Sequence, residues 1–258
     1  MATIVGTNSS DKLTGTAGPD DIFGLAGDDF LIGGAGADSL DGGTGTDTAS
    51  YSTASAGVVA NLAAPAGNTG DAAGDSYASI ENLRGSNFAD ALTGDGVNNT
   101  VSGLNGTDAL AGGGGDDILI GGAGGDSLDG GVGTDTASYS TAATGVVANL
   151  SAPAGNTGDA AGDSYTAIEN LQGSNFGDTL TGNAVTNTLS GLSGEDALIG
   201  GAGADSLDGG AGIDTASYAT AGAGLVASLL SPAGNTGDAA GDSYTSIENL
   251  TGSDLATR

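Results

Sequence analysis

A nine-residue repeat constrains the fold of this chain more than any other feature. Units of the form G-G-x-G-x-D-x-U-x, where U is apolar, run without interruption over 6–50, 85–138 and 173–217. The unit GGAGADSLD at 33–41 is a complete example. Such a short period is typical of solenoids, in which each repeat packs only against its neighbours. The repeat therefore predicts an all-β solenoid.

Each place in the nine-residue pattern has a physical reason. Glycines at the first, second and fourth places permit positive φ and close backbone approach, so they predict a tight turn. The x-U-x segment predicts a short strand that sends U to one face and its neighbours to the other. Strands stacked about 4.8 Å apart would join the U residues into one apolar ladder. The U residues are Leu13, Ile22, Leu31, Leu40, Ala49, Leu92, Val101, Leu110, Leu119, Leu128, Ala137, Leu180, Leu189, Leu198, Leu207 and Ala216.

Three segments of equal length follow the repeat blocks. We call these the inserts, and they cover 51–84, 139–172 and 218–251. Each contains the string AGNTGDAAGDSY, and Gly57–Leu62 in the first is strand-like before a loop at Pro65. No stretch avoids glycine long enough to favour a helix. We predict three tandem modules of block plus insert, namely 1–84 (nonapeptides 6–50, insert 51–84), 85–172 (nonapeptides 85–138, insert 139–172) and 173–258 (nonapeptides 173–217, insert 218–251).

Composition excludes several classes of function. The 258 residues include 32 acidic and 3 basic side chains, with no His and no Cys, and the formal charge is -29. A chain without Cys or His offers poor ligands for zinc or copper, and it forms no disulfides. Three basic residues cannot neutralise a nucleic acid backbone, so nucleic acid is not an expected partner. Without the repeat, this much glycine and charge would favour disorder.

The acid at the sixth place predicts a metal site at each turn. If each nonapeptide is half a coil, alternate acids stack on one edge about 4.8 Å apart, where their charges repel. Calcium would relieve that repulsion, because it accepts six to eight oxygens and the glycine turns offer carbonyls beside each acid. Magnesium suits such a cage less well. The candidate ligands are Asp11, Asp20, Asp29, Asp38, Asp47, Asp90, Asp108, Asp117, Asp126, Asp135, Asp178, Asp196, Asp205 and Asp214.

Pairing each unit with the next but one predicts roughly ten Ca²⁺, which would offset much of the negative charge. Asn99 and Asn187 stand at the sixth place of two units, and we expect sites that use them to bind loosely or stay empty. In the inserts, the GDAAGD strings place Asp75, Asp163 and Asp242 in an extra ion site, in a turn that binds N–H groups or in a carboxylate cap.

The repeat resembles the RTX, or haemolysin-type, calcium-binding nonapeptides of secreted bacterial proteins, and the resemblance extends over essentially the whole chain. The resemblance implies a right-handed parallel β-roll, disordered without calcium and folded with it. It also implies export by a type I secretion system, and the calcium-ligand role carries over to the sixth-place acids. The first unit of each block, such as GSNFADALT at 85–93, keeps the acid but lacks most of the glycines.

We expect a non-enzymatic, calcium-folded extracellular structural protein that assembles head-to-tail into a filament or surface layer. The open solenoid ends and the likeness of TIVGTNSSDKLTG to the internal NLRGSNFADALTG favour copies of the chain as partners. The alternative is a calcium-dependent accessory or adhesion module of a type I-exported enzyme or adhesin. An enzyme is not expected, because no carboxylate pair is chemically distinct from the rest.

The expected location is extracellular or at the cell surface. The sequence starts without a basic and apolar leader, so export without a cleaved N-terminal signal is expected. No membrane insertion is expected, and a cell surface or a polysaccharide is a candidate contact.

Overall fold

Both units of the chain are built from short parallel β-strands. A computed structural model describes residues 1–253 and divides the chain into two compact units, Met1–Asp135 and Thr136–Arg258. Within each unit the paired strands run parallel, and residues 1–253 contain no α-helix. The predicted all-β, parallel β-roll solenoid is confirmed. The last residues of the predicted third module, 254–258, lie outside the described residues.

The first unit contains fourteen short strands. They are β1 (Thr3–Val5), β2 (Lys12–Thr14), β3 (Asp21–Ala26), β4 (Phe30–Ile32), β5 (Ser39–Thr44), β6 (Thr48–Ser50), β7 (Val59–Asn61), β8 (Ser76–Ala78), β9 (Asn82–Arg84), β10 (Ala91–Thr93), β11 (Thr100–Asn105), β12 (Ala109–Gly114), β13 (Ile118–Ala123) and β14 (Ser127–Val132). Within this unit the pairing orders are β1-β3-β5-β8, β7-β10-β12-β14 and β2-β4-β6-β9-β11-β13.

Within residues 136–253, the second unit contains thirteen strands. They are β15 (Thr136–Ser138), β16 (Val147–Asn149), β17 (Ser164–Thr166), β18 (Asn170–Gln172), β19 (Thr179–Thr181), β20 (Thr188–Ser190), β21 (Ser193–Gly194), β22 (Ala197–Ile199), β23 (Ser206–Asp208), β24 (Ala211–Gly212), β25 (Thr215–Ser217), β26 (Ser243–Thr245) and β27 (Asn249–Thr251). Within this unit the pairing orders are β15-β18-β20-β23-β26, β16-β19-β22-β25-β27 and β21-β24.

The register shows that one nonapeptide is half a coil. Ile4 pairs with Ile22, which pairs with Leu40, so each strand lies beside the strand two units later. The intervening unit supplies the opposite sheet, where Leu13 pairs with Leu31. Consecutive units therefore alternate between two sheets, and every second turn lies on the same edge.

The U residues form the apolar ladder that the repeat predicts. Fifteen of the sixteen are buried, with Leu31, Val101 and Leu198 among those that are fully covered. Leu13, on the first strand of its sheet, is half-buried, because the ladder covers it from one side only. The core of each unit is therefore a stack of single apolar side chains.

The inserts contribute rungs to the same sheets. In the first unit β8 pairs with β5, β9 pairs with β6 and β11, and β7 pairs with β10. Six short 3-10 helices complete the inserts, at Pro65–Gly67, Gly70–Ala72, Pro153–Gly155, Gly158–Ala160, Pro232–Gly234 and Gly237–Ala239. The boundary between the two units falls inside the second repeat block. The division into three modules stays a prediction about the repeats.

Candidate metal centres in the turns

The sixth-place acids stack along the edge of each unit. In a regular stack, Oδ1 of each acid accepts the N–H of the sixth-place residue two units earlier. The Asp20 N–H donates to Asp38 at 2.9 Å, and the Asp29 N–H donates to Asp47 at 2.8 Å. All of the predicted aspartates except the half-buried Asp11 are buried. The other carboxylate oxygen, Oδ2, points into the acid's own turn, and its surroundings divide the turns into two kinds.

In the first kind, which we call open turns, the second and fourth residues both have positive φ. The second place is held by glycine, as in Gly34 (φ 90°), or by leucine, as in Leu25 and Leu104 (both φ 83°). The acids of the open turns are Asp29, Asp38, Asp47, Asp108, Asp117, Asp126, Asp135, Asp196, Asp205 and Asp214.

Most open turns contain a buried carboxylate oxygen without a hydrogen-bond partner. Within residues 1–253 this holds for Oδ2 of Asp29, Asp38, Asp47, Asp108, Asp117, Asp196, Asp205 and Asp214. A buried charge without a partner is costly, and proteins normally pair it or use it to bind a metal. The repetition of the same bare oxygen in turn after turn indicates a cation site.

The space beside this oxygen suits a calcium ion. A Cβ added to Gly112 would lie 2.1 Å from Asp117 Oδ2 and 2.6 Å from the Gly130 carbonyl oxygen on the next rung. Glycine therefore keeps open a space that a carboxylate and a carbonyl from two rungs both border. A hard cation with many oxygen ligands fits this donor set, because carbonyls and carboxylates are calcium's usual protein ligands. Residues 1–253 contain no group of three or more acidic side chains placed to hold a metal, so main-chain oxygens must complete each site.

In the second kind, which we call closed turns, the second residue has no positive φ and its N–H binds the sixth-place side chain. Thr16 donates its N–H to Asp20 Oδ2 at 2.6 Å and its hydroxyl to the same oxygen at 2.8 Å. Ser86 donates to Asp90 in the same way, at 2.6 Å from its N–H. The closed turns contain Asp11, Asp20, Asp90, Asn99, Asp178 and Asn187 at the sixth place.

In the two asparagine turns, the side-chain Oδ1 takes the place of the bare Oδ2 of an open turn and accepts a main-chain N–H. Asn99 Oδ1 accepts the Asp95 N–H at 2.8 Å, and its Nδ2 donates to the Glu81 carbonyl at 2.7 Å. Asn187 repeats this arrangement, with Nδ2 at 2.6 Å from the Glu169 carbonyl. The oxygen that is bare in an open turn is therefore hydrogen-bonded in these two turns, and the expectation that such sites bind loosely or stay empty stays a prediction.

The pKa of the acid is raised in several open turns and lowered in one closed turn. Burial raises the pKa of Asp108 and Asp196 to about 6, and neighbouring carboxylates add to this rise. Asp117 and Asp205 have a pKa of about 6 for the same main reason. In the closed turn of Asp20, N–H groups from Ala2 and Thr16 lower the pKa of the carboxyl. The open turns of Asp108, Asp117, Asp196 and Asp205 therefore disfavour the negative charge of their acid until a cation is supplied.

The insert acids are held by hydrogen bonds. Asp75 accepts the Asp38 N–H at Oδ1 (2.8 Å) and the Tyr51 hydroxyl at Oδ2 (2.9 Å). The Tyr51 hydroxyl is also hydrogen-bonded to the Tyr77 hydroxyl. Asp242 accepts the Asp205 N–H and the Tyr218 hydroxyl, and Asp163 accepts the Tyr139 hydroxyl. Asp75 and Asp242 thus accept a main-chain N–H, and a part for the insert acids in an extra ion site stays a prediction.

One feature of the inserts escaped the sequence reasoning. Gly70–Ala78 occupies a full rung, with Asp75 at the sixth place and Tyr77 at the U place. Glu81 Oε2 accepts the Asp47 N–H at 2.8 Å, so a glutamate also substitutes for a sixth-place aspartate. Continuing the nine-residue pattern into the insert aligns GDAAGDSYA with a full repeat unit and would have identified the first of these rungs. The match is hard to see in the sequence because other residues replace most of the glycines of the unit.

A comparison with protein families identifies the repeats. The family described as RTX calcium-binding nonapeptide repeat (4 copies) matches residues 14–49, 102–137 and 181–216. The chain contains RTX calcium-binding nonapeptide repeats in these three stretches. All ten open-turn acids lie inside the matched ranges, whereas the closed-turn residues Asp11, Asp90, Asn99 and Asp178 lie outside them. No curated protein matches the sequence.

Proposed function

We propose that the chain is a non-enzymatic extracellular structural protein whose open turns bind calcium and whose β-roll folds on binding it. The observation that carries the proposal is the bare, buried Oδ2 atom repeated in the open turns. Burying that oxygen away from water without a partner opposes folding, and a bound cation makes the same burial favour folding. Up to ten ions would bind, one for each open turn, which agrees with the roughly ten expected from the repeat.

Calcium is abundant outside the cell, and this supports an extracellular location for a chain that folds on calcium. RTX repeats are typical of proteins exported by type I secretion, and folding that waits for calcium suits a chain that must leave the cell unfolded. No helix within residues 1–253 has the length and apolar character needed to cross a bilayer.

Circular dichroism with and without a chelator tests the folding part of this proposal. We expect a β-rich spectrum in calcium and a largely unfolded spectrum in chelator, with calcium restoring the first. A β-rich spectrum that persists unchanged in excess chelator at neutral pH would overturn calcium-driven folding.

Head-to-tail stacking of copies is the second part of the proposal. Within the described residues, Asp11 is the one sixth-place aspartate whose Oδ1 accepts no N–H. The N–H of Val58 donates to Asp90 at 2.7 Å, and that of Val146 donates to Asp178 at 2.7 Å. The equivalent N–H of Leu225 finds no such acid within residues 1–253. Asp11 of one copy and Leu225 of another would therefore complement each other.

Sedimentation velocity in calcium tests this contact. We expect association that grows with protein concentration, and that weakens in Asp11→Ala because the acceptor is lost. Asp41→Asn, which removes one charge from the outer face of β5, serves as the control and should associate like the unmodified chain. A strictly monomeric species at high concentration would overturn the assembly and favour the accessory-module alternative.

A further inference from the structure

In each unit, one open turn faces the GDAAGD rung of an insert in that same unit rather than another nonapeptide. The Gly33–Asp38 turn lies beside Gly70–Asp75, because β5 pairs with β8 and places Leu40 beside Tyr77. In the second unit the Gly200–Asp205 turn lies beside Gly237–Asp242, because β23 pairs with β26. These two turns must complete a calcium site with different neighbours from the rest.

At both places the carbonyl oxygen of the neighbouring rung lies farther from the first-place glycine than it does in a regular open turn. A Cβ added to Gly24, in a regular open turn, would lie 2.5 Å from the Gly42 carbonyl of the next rung. At Gly33 the corresponding carbonyl belongs to Gly70, and it accepts the Ala73 N–H at 3.1 Å inside a 3-10 turn. The Gly237 carbonyl accepts the Ala240 N–H at 3.0 Å in the same way. The three atoms nearest a Cβ on Gly33 all belong to Asp38 itself.

Each of these insert rungs supplies an additional acid. Asp71 follows Gly70, and Asp238 follows Gly237; both are half-buried, and neither forms a side-chain hydrogen bond within residues 1–253. The negative charge of Asp71 contributes to the raised pKa of both Asp38 and Asp75. Asp238 contributes in the same way to the raised pKa of Asp242.

The bare Oδ2 atoms of Asp38 and Asp205 mark the ion positions. Both side chains are 1% exposed, and neither Oδ2 has a hydrogen-bond partner. Asp75 and Asp242 are already held by a tyrosine hydroxyl and a main-chain N–H, so they position the rung. Asp71 and Asp238 are the acids left to face the ion.

We propose that Asp71 with Asp38, and Asp238 with Asp205, form two calcium sites in which a side-chain carboxylate replaces the missing main-chain carbonyl. This inference rests on the proposed calcium-binding function and assigns ligands within it. Two carboxylates give each of these sites more negative charge than a regular open turn. Because calcium affinity rises with ligand charge, they fill at lower calcium concentration than the regular sites.

The test is the calcium count of the full-length Asp71→Asn, Asp238→Asn variant, measured by equilibrium dialysis. We expect it to bind two fewer ions than the unmodified chain at a calcium concentration that just saturates the latter. The control is Asp41→Asn, Asp208→Asn, which removes the same charge from the outer faces of the same strands, β5 and β23. An unchanged count in the test variant, or an equal loss in the control, would overturn the assignment.

Terbium luminescence gives a second measurement at these positions. All six tyrosines lie in the inserts, so light absorbed by tyrosine reports on Tb³⁺ bound nearby. We expect the test variant to lose most of this signal while its circular dichroism in saturating calcium is unchanged, and Asp71→Glu, Asp238→Glu to restore it. Loss of the β-roll in the test variant would show a structural role and overturn the inference. An unmodified chain that binds no calcium would instead overturn the proposed function.

Discussion

Open and closed turns use the same framework of a first-place glycine and a sixth-place acid or amide, yet they treat the carboxylate in opposite ways. In the closed turn of Thr16, the second residue directs its N–H at Asp20. In the open turn of Gly34, positive φ turns that N–H away and leaves Asp38 Oδ2 bare. The backbone conformation of one residue therefore decides whether a turn satisfies its own acid or needs a cation.

The two kinds of turn are not mixed at random. Each block begins with two closed turns and continues with open ones only. The closed turns adjoin the strands that start each block, for example β10 after Ser86. Each block therefore starts with one coil whose turns are satisfied without metal, and under the proposed function the coils that follow depend on calcium.

Acidification should have the largest effect on the difference between open and closed turns, because it acts on several open turns at once. The pKa of Asp108, Asp117, Asp196 and Asp205 rises from 3.8 to about 6 on folding. For these groups the stabilising effect of protonation is full below pH 3.8 and disappears as the pH rises through 6. In chelator we therefore expect β-structure to increase as the pH falls from 7 to 4, measured by circular dichroism.

In calcium the sign reverses, because the ion binds the ionised carboxylate. Calcium affinity should fall as the pH drops through 6. Asp20 behaves oppositely to the open-turn acids, because its lowered pKa gives a stabilisation that is lost only as the pH falls below 3.8. A calcium affinity that does not change between pH 7 and pH 5 would contradict the assignment of these acids as ligands.

Single substitutions at equivalent places should separate the two kinds of turn. Asp117→Asn removes the bare oxygen of an open turn, so we expect the loss of at least one bound ion. Each lost ion removes about 2.7 kcal/mol of stability when calcium is a hundredfold above its dissociation constant. Calcium titration by calorimetry and thermal unfolding in calcium measure the two effects.

The matched control is Asp20→Asn in a closed turn. The other two blocks already have asparagine at this place, Asn99 and Asn187, with the amide bonded inside the turn. Asp20→Asn should keep the full ion count and change stability by about 1 kcal/mol or less. If both substitutions remove an ion, the closed turns are metal sites as well and the comparison fails.

The smallest effect is expected from deleting one hydroxyl in a closed turn. Ser86 Oγ donates to Asp90 Oδ1 at 2.9 Å, and both residues are buried. Ser86→Ala should lower stability by about 1 kcal/mol through the lost hydrogen bond, with no change in the calcium count. Chemical denaturation in the presence of calcium measures this loss of stability. Ser190→Ala, on the outer side of β20, should change neither quantity, and a drop in ion count for Ser86→Ala would contradict the prediction.

The repeat in the sequence determined the parallel solenoid, the apolar ladder and the row of stacked acids. Local chemistry suffices for these features, because glycine at fixed places permits the turn and a period of two in x-U-x sends Leu31 or Leu198 inward. The choice of calcium also followed from the sequence, since an acidic chain without His or Cys offers oxygen ligands only.

The tertiary structure alone decided which acids remain without a partner. Asp20 and Asp29 stand at the same place in the repeat, and the φ values of the second and fourth residues of their turns separate them. Leucine holds the second place in two open turns of the first unit, so the residue type at this place does not predict the conformation of the turn. The roles of Asp75 and Glu81 likewise depended on strand pairing across 37 and 34 residues. Such pairings are long-range, and a nine-residue period cannot specify them once an insert interrupts it.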